Sequence, residues 1–155
     1  MSGWRKKKPA DPAELLKRMA GLCARSEQCR FDIDTKLFKA GLNKEQRAEI
    51  LDYLVEHRYI DESRYARLTA SHKVRYSGWG RRKIRVALAA KRIGTSDIEA
   101  AIESIDEEEY EAAFRRVAAA ALKELDVSDP TQRASFYRRM MSRGFETDLI
   151  NKALQ

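Results

Sequence analysis

FDIDTKLFKAGL at residues 31–42, RKIRVALAAKRI at 82–93 and ASFYRRMMSRGF at 134–145 read as one helix and turn written three times. Superposing Leu42, Ile93 and Phe145, separated by 51 and 52 residues, brings other apolar residues into register. Ile33, Ile84 and Phe136 stand nine positions earlier, Leu37, Leu88 and Met140 five earlier, Leu51, Ile102 and Leu154 nine later, and Met19, Ala70 and Leu122 twenty-three earlier. Apolar residues four apart share one face of an α-helix. A fixed period in self-similar sequence marks a repeat architecture. The spacing predicts helices at 13–24, 30–40 and 44–58, then 62–76, 81–92 and 96–105, then 107–125, 131–143 and 147–154.

Three short helices bury little by themselves, so neighbouring units must stack or share faces. The expected fold is all-α: three tandem three-helix repeats forming an elongated, curved body. Its expected parts are a basic disordered tail at 1–12, repeat one at 13–60, a basic repeat two at 61–105 and repeat three at 106–155. Runs of β-branched residues with period two, the mark of strands, do not occur. Helix starts are written in the usual chemistry. Asp11-Pro12 with Glu14 and Asp129-Pro130 with Gln132 each supply a capping acceptor, a proline in the first turn and Glu or Gln at the third position. Asn43 with Gln46 and Ser96 with Glu99 offer the same box.

A chain of 155 residues accommodates one domain or a short row of small units. No apolar run reaches the roughly 20 residues of a membrane span, and the basic start MSGWRKKKPADP lacks a secretory apolar stretch, so a cytoplasmic protein is expected. Cys23 and Cys29, the two cysteines, read as reduced structural thiols, because His57 and His72 stand at no zinc-ligand spacing from them.

The net charge of +7 hides a sharp asymmetry. Residues 63–96 hold ten cations (Arg64, Arg67, Lys73, Arg75, Arg81, Arg82, Lys83, Arg85, Lys91 and Arg92) and no Asp or Glu. Residues 97–129 hold three basic and eleven acidic side chains, Asp106-Glu107-Glu108-Glu109 among them. A solvated helix face mixes signs, because opposite charges three or four residues apart attract and like ones repel. The block therefore has two readings. Either the acidic segment supplies its counter-charge inside the fold, or the patch meets an anionic partner, a nucleic acid or an acidic protein groove.

Catalytic constellations are hard to assemble. His57 and His72 read as surface or partly packed histidines. Cys29 sits at a helix start, where the dipole lowers a thiol pKa, yet no histidine accompanies it. The acidic cluster at 106–111 lacks calcium-loop spacing and reads as a helix N-terminus. YSGWGRRKIRVAL, residues 76–88, places Ser77-Gly78-Trp79-Gly80 as a turn opening into a helix that carries Arg81, Arg82, Lys83 and Arg85. Free amides and the positive end of the dipole then reinforce the cations, an arrangement eased when an anion docks. The GxxxxGK[ST] spacing of a P-loop is absent. Trp79 either caps the core between repeats or stands exposed as an interface anchor or stacking platform, and Tyr65 and Tyr76 share that ambiguity. The tail Trp4-Arg5-Lys6-Lys7-Lys8-Pro9 reads as disordered, with a supplementary role in attracting phosphates. No enzyme activity, cofactor or metal is expected.

YIDESRYARLTASHKVRYSGWGRRKIRVALAAKRI, residues 59–93, resembles the RecX family of bacterial proteins that modulate the RecA recombinase. The matching positions are Ile60, Asp61, Arg64, Tyr65, Ala66, Arg75, Gly80, Ile84, Leu88 and Lys91. LLKRMAGLCARSEQCRFDIDTKLFKAGL at 15–42 is similar to the family's opening, and the repeat period agrees, so the resemblance covers nearly the whole chain. Two departures stand out. The family usually has Lys-Gly before the anchor hydrophobe, where Lys91-Arg92 stands here, and a Ser common at the start of the second helix is Cys29. A left-handed helix end disfavours a residue other than Gly at Arg92.

The resemblance implies tandem three-helix repeats that dock in the groove of the RecA filament on single-stranded DNA and limit filament extension, ATP hydrolysis and strand exchange. It implies a place in DNA repair and the SOS response, and brings no catalytic residues. Arg64, Arg67, Lys73, Arg75, Trp79, Arg81, Arg82, Lys83, Arg85, Lys91 and Arg92 are the expected contacts of a monomer with the filament. The rival readings are a helical module that binds single- or double-stranded DNA directly, and an adaptor whose basic and acidic units pair between chains.

Overall fold

The computed structural model describes residues 10–155, so the expected disordered tail, through Pro9, and its role in attracting phosphates lie outside the described residues. Nine α-helices follow among those residues: α1 (Pro12–Arg25), α2 (Arg30–Lys39), α3 (Lys44–Glu56), α4 (Glu62–His72), α5 (Arg81–Ala90), α6 (Thr95–Glu103), α7 (Glu107–Glu124), α8 (Pro130–Ser142) and α9 (Thr147–Ala153). Among the described residues there is no strand, and no helix is long and apolar enough to cross a membrane. The fold is all-α, with helices in tandem threes. By compactness the chain divides into one unit through Tyr65 and another spanning Ala66–Gln155.

Capping follows the sequence at most helix starts. Asp11 accepts from the Ala13 amide at 3.0 Å and Asp129 from the Gln132 amide at 3.2 Å. Asn43 and Gln46 form the reciprocal box at 2.8 and 3.0 Å. Asp106 accepts from the Glu109 amide at 3.0 Å, placing Glu107, Glu108 and Glu109 in the first turn of α7, where carboxylates meet the positive end of the dipole. Ser96 departs from expectation, since α6 starts one residue earlier with Gly94 as its cap. Glu99 has a stronger partner in Arg85, whose guanidinium donates to both its oxygens at 2.9 and 3.2 Å.

In the first unit Leu15, Met19, Ile33, Leu37, Leu42, Ile50, Leu51, Leu54 and Ile60 form one buried cluster. In the second, Ile84, Leu88 and Ile93 are buried on and after α5, and Phe136, Met140 and Phe145 on and after α8. Tyr110 and Phe114 of α7 set their rings against Phe145 at centroid distances of 5.7 and 5.2 Å. Two register columns fail in the last repeat. Leu122 is 42% exposed, because the inner face of α7 is carried by Ala113, Ala118 and Ala121, one residue out of phase with it. Leu154 is half-buried beyond the end of α9, and Ile150 fills the core there.

The three anchors end their helices alike. Leu42, Ile93 and Phe145 donate their amides to the carbonyls of Leu37, Leu88 and Met140 at 3.2, 3.2 and 3.3 Å. The residue before each is left-handed: Gly41 at φ 93°, Arg92 at φ 59° and Gly144 at φ 95°. Arg92 keeps the motif although a side chain there costs roughly 1–2 kcal/mol relative to a right-handed conformation.

Candidate functional site

The helix expected at 62–76 does not stay α-helical. At Lys73–Ser77 it widens into a π-helical turn and closes at Gly78 with φ 63°. Such turns loosen the carbonyl ladder. Arginines from the third repeat take up the released acceptors: Arg116 donates to the Val74 and Arg75 carbonyls at 3.5 and 3.1 Å, and Arg143 to the Ser77 carbonyl at 2.8 Å.

The start of α5 corrects the expectation of free amides awaiting an anion. Gly80 donates to the Arg143 carbonyl at 2.7 Å, Arg81 to the Tyr110 hydroxyl at 3.1 Å and Arg82 to the Gly144 carbonyl at 3.0 Å. A Cβ on Gly80 would lie 2.3 Å from the Gly144 carbonyl carbon, so backbone meets backbone there. The glycine does permit a close approach, but of the chain's own third repeat.

The ten cations separate by what they touch. Arg64 donates to Glu27 at 2.6 Å and lies 3.9 Å from Asp61. Arg75 pairs with Glu109 at 2.5 Å, Arg81 with Glu107 at 2.6 Å and Glu146 at 3.1 Å, and Arg85 with Glu99 at 2.9 Å. Burial opposes the Arg81 charge, but its bonds to Glu146 and Glu107 outweigh that and raise its pKa. Its guanidinium also lies over the Tyr110 ring, 3.8 Å from the centroid. Arg75, Arg81 and Arg85 find counter-charge in the acidic segment, at Glu109, Glu107 and Glu99, with Glu146 added for Arg81, whereas the partners of Arg64, Glu27 and Asp61, precede the cationic block. Arg82 is exposed, two positions round α5 from the buried Ile84. Arg67 and Arg92 are exposed, and Lys91 is half-buried.

Trp79 takes an intermediate place. It is half-buried, and the Lys73 and Lys83 ammonium groups lie 4.6 and 4.5 Å from its ring centroid. Each such contact contributes about 0.5–1 kcal/mol at an exposed site. The ring thus organises two cations of the surface. Tyr65 is half-buried, whereas Tyr76 is 70% exposed.

Cys29 does cap α2, but it is completely buried, and desolvation pushes its thiol up where the dipole alone would lower it. Cys23 is shifted in the same direction, again mainly by burial. His57 stacks on Tyr53 at a centroid distance of 3.9 Å, and His72 lies 4.8 Å from Tyr76. Among the described residues, no group of three or more His, Cys, Asp or Glu is arranged to hold a metal ion.

Sequence reading missed Tyr110, Glu146, Arg116, Arg139 and Arg143. Tyr110 is buried, donates to Glu146 at 2.6 Å, and has its pKa raised well above the ordinary phenol value by burial and by that carboxylate. Partners 15 to 66 positions apart leave no local spacing to read.

Helices in tandem threes, with a cation-rich second repeat in which Arg75, Arg81 and Arg85 are tied to carboxylates and Lys73 and Lys83 flank the Trp79 ring, define an all-α repeat protein. The model of the domain described as "RecX, second three-helix domain" matches residues 61–102. The chain is 31% identical over 127 residues to "Regulatory protein RecX" of Chlorobium limicola, covering 81% of this chain and 77% of that relative. It is 31% identical over 146 residues to "Regulatory protein RecX" of Pseudomonas syringae pv. tomato, covering 92% and 91%. The chain belongs to the RecX family. Its fold is similar to the crystal structure of RecX from Lactobacillus salivarius, with a TM-score of 0.77 and 16% identity over 91% of this chain and 92% of that one. It is also similar to a crystal structure of regulatory protein RecX, with a TM-score of 0.79 and 20% identity over 92% of this chain and 70% of that one.

Proposed function

We propose that this protein is a non-enzymatic regulator that binds the RecA filament on single-stranded DNA and restrains its extension, ATP hydrolysis and strand exchange. The observation that carries the reading is membership of the RecX family over most of the chain, with the domain match falling on the cation-rich residues 61–102. The contacts we assign to the filament are Arg67, Lys73, Trp79, Arg82, Lys83, Lys91 and Arg92. Arg75, Arg81 and Arg85 hold that surface through their carboxylate partners, and Arg64 is tied to Glu27 within the first unit. We place this activity in the cytoplasm, in DNA repair and the SOS response.

The test titrates the protein into RecA turning over ATP on single-stranded DNA and measures affinity for bare DNA in the same buffer. Inhibition at ratios far below saturation of the DNA supports filament regulation. Inhibition appearing only as bare DNA saturates supports direct DNA binding.

A further inference from the structure

The end of the π-helical turn, α7 and α8 line an open cavity of about 580 Å³, within the roughly 300–1,000 Å³ usual for ligand sites. Arg116, Arg139 and Arg143 line it against one carboxylate, Glu124. That carboxylate pairs with Arg139 at 2.8 Å. Arg116 and Arg143 donate to the main-chain carbonyls of Val74, Arg75 and Ser77, which fix the guanidinium groups without cancelling their charge. Guanidinium forks held in place before a ligand arrives favour phosphate oxygens, because little side-chain freedom remains to be lost.

Apart from Ser77, the rest of the lining is glycine, apolar side chains and the Tyr76 ring. Val117, Ala120 and Ala121 form one wall, and Tyr76 lines the cavity although 70% of it is exposed. A bare inorganic anion would use the arginines and leave Tyr76 and the alanine wall idle. A phosphate ester attached to a planar base would use both, through charge-assisted hydrogen bonds and ring stacking.

We propose that this cavity binds a nucleotide unit, its phosphate held by Arg116, Arg139 and Arg143 and its base stacked on Tyr76. The same chemistry is carried by a free nucleoside triphosphate and by a residue of a single-stranded nucleic acid. The proposal does not rest on the recombinase reading, which uses other residues and is judged by RecA turnover.

The experiment measures fluorescence anisotropy of a labelled oligothymidylate and of a fluorescent ATP analogue with the full chain. The variants are Tyr76→Ala, the double variant Arg116→Gln with Arg139→Gln, and the net-charge control Lys44→Gln. At least one probe binds the wild type. Tyr76→Ala weakens it by about five- to a hundredfold, the double variant weakens it and flattens its salt dependence, and Lys44→Gln leaves it unchanged. Binding of the ATP analogue assigns the site to free nucleotide, and binding of the oligothymidylate alone assigns it to a strand. No binding of either probe overturns the proposal, as does binding equal in wild type and Tyr76→Ala, or lowered as much by Lys44→Gln as by the double variant. The exposure of Tyr76 keeps the first variant folded, which its helical circular dichroism checks.

Discussion

Replacing Gly80 by alanine separates a turn glycine from a docking glycine by the size of its effect. Gly80 has φ −82° and ψ 167°, a conformation open to any residue. On local grounds Gly80→Ala is close to neutral, because the roughly 0.4–1 kcal/mol gained through the lost freedom of the unfolded chain is offset by alanine's poorer performance as the cap of α5. The third repeat makes it costly. The new Cβ would meet the Gly144 carbonyl carbon and oxygen at 2.3 Å and the Phe145 amide nitrogen at 2.4 Å, all of them backbone atoms. Overpacking of this kind costs about 1–3 kcal/mol. Relief by withdrawal stretches the bonds from Gly80 to Arg143 and from Arg82 to Gly144, now 2.7 and 3.0 Å, at about 1 kcal/mol each. The expected net loss is about 2–4 kcal/mol, which lowers Tm by roughly 5–15 °C in a chain of this size. Urea unfolding followed by circular dichroism reads it as an earlier midpoint at unchanged slope. Gly21→Ala, within α1 with nothing within 4 Å of the added carbon, is the companion, gaining about 0.5–1 kcal/mol. A Gly80→Ala protein as stable as wild type, or more so, would refute the backbone docking.

Tyr110 gives a pH prediction. Its neutral phenol is favoured by folding, so the stability it contributes is fully present below its ordinary pKa of 10.0 and is lost as pH rises above that value toward the higher folded pKa. The loss runs at up to about 1.4 kcal/mol per pH unit. Tyr110→Phe removes that alkaline slope and costs about 1–3 kcal/mol at neutral pH, which urea melts on both sides of pH 10 would show. Capping supplies a matched pair: Asn43→Ala costs about 1 kcal/mol of stability, whereas Ser96→Ala stays within about 0.5 kcal/mol, both read by thermal melts.

The repeat was legible because its signal is local. Ile33, Leu37 and Leu42, with their counterparts around Ile93 and Phe145, are set by helix period and by a helix end that closes within six residues. Where a repeat changes its packing partner the pattern misled, and Leu122 is exposed because small alanines carry the inner face of α7. The cationic block was visible as composition, but its division was not. Nothing near Arg81 in sequence marks Glu146, 65 residues on, as its partner, while Arg82 next to it stays exposed. Cys29 was correctly seen at a helix start, yet its burial, which reverses the direction of its pKa shift, depends on tertiary packing. The arginine-lined cavity was hidden for the same reason, since Tyr76, Arg116 and Arg143 come from three separate elements.

The most direct test of the regulatory account compares wild type with Lys73→Ala/Arg82→Ala/Lys83→Ala as inhibitors of RecA ATP hydrolysis on single-stranded DNA. These side chains lie around Trp79 or on the outer face of α5, and among the described residues no carboxylate bond is seen to hold them, so helicity is retained. The account predicts that wild type inhibits at sub-stoichiometric ratios and that the triple variant needs at least about tenfold more protein, three partly screened contacts together contributing about 1.4 kcal/mol or more. Equal inhibition by both proteins, or none by either, would contradict it.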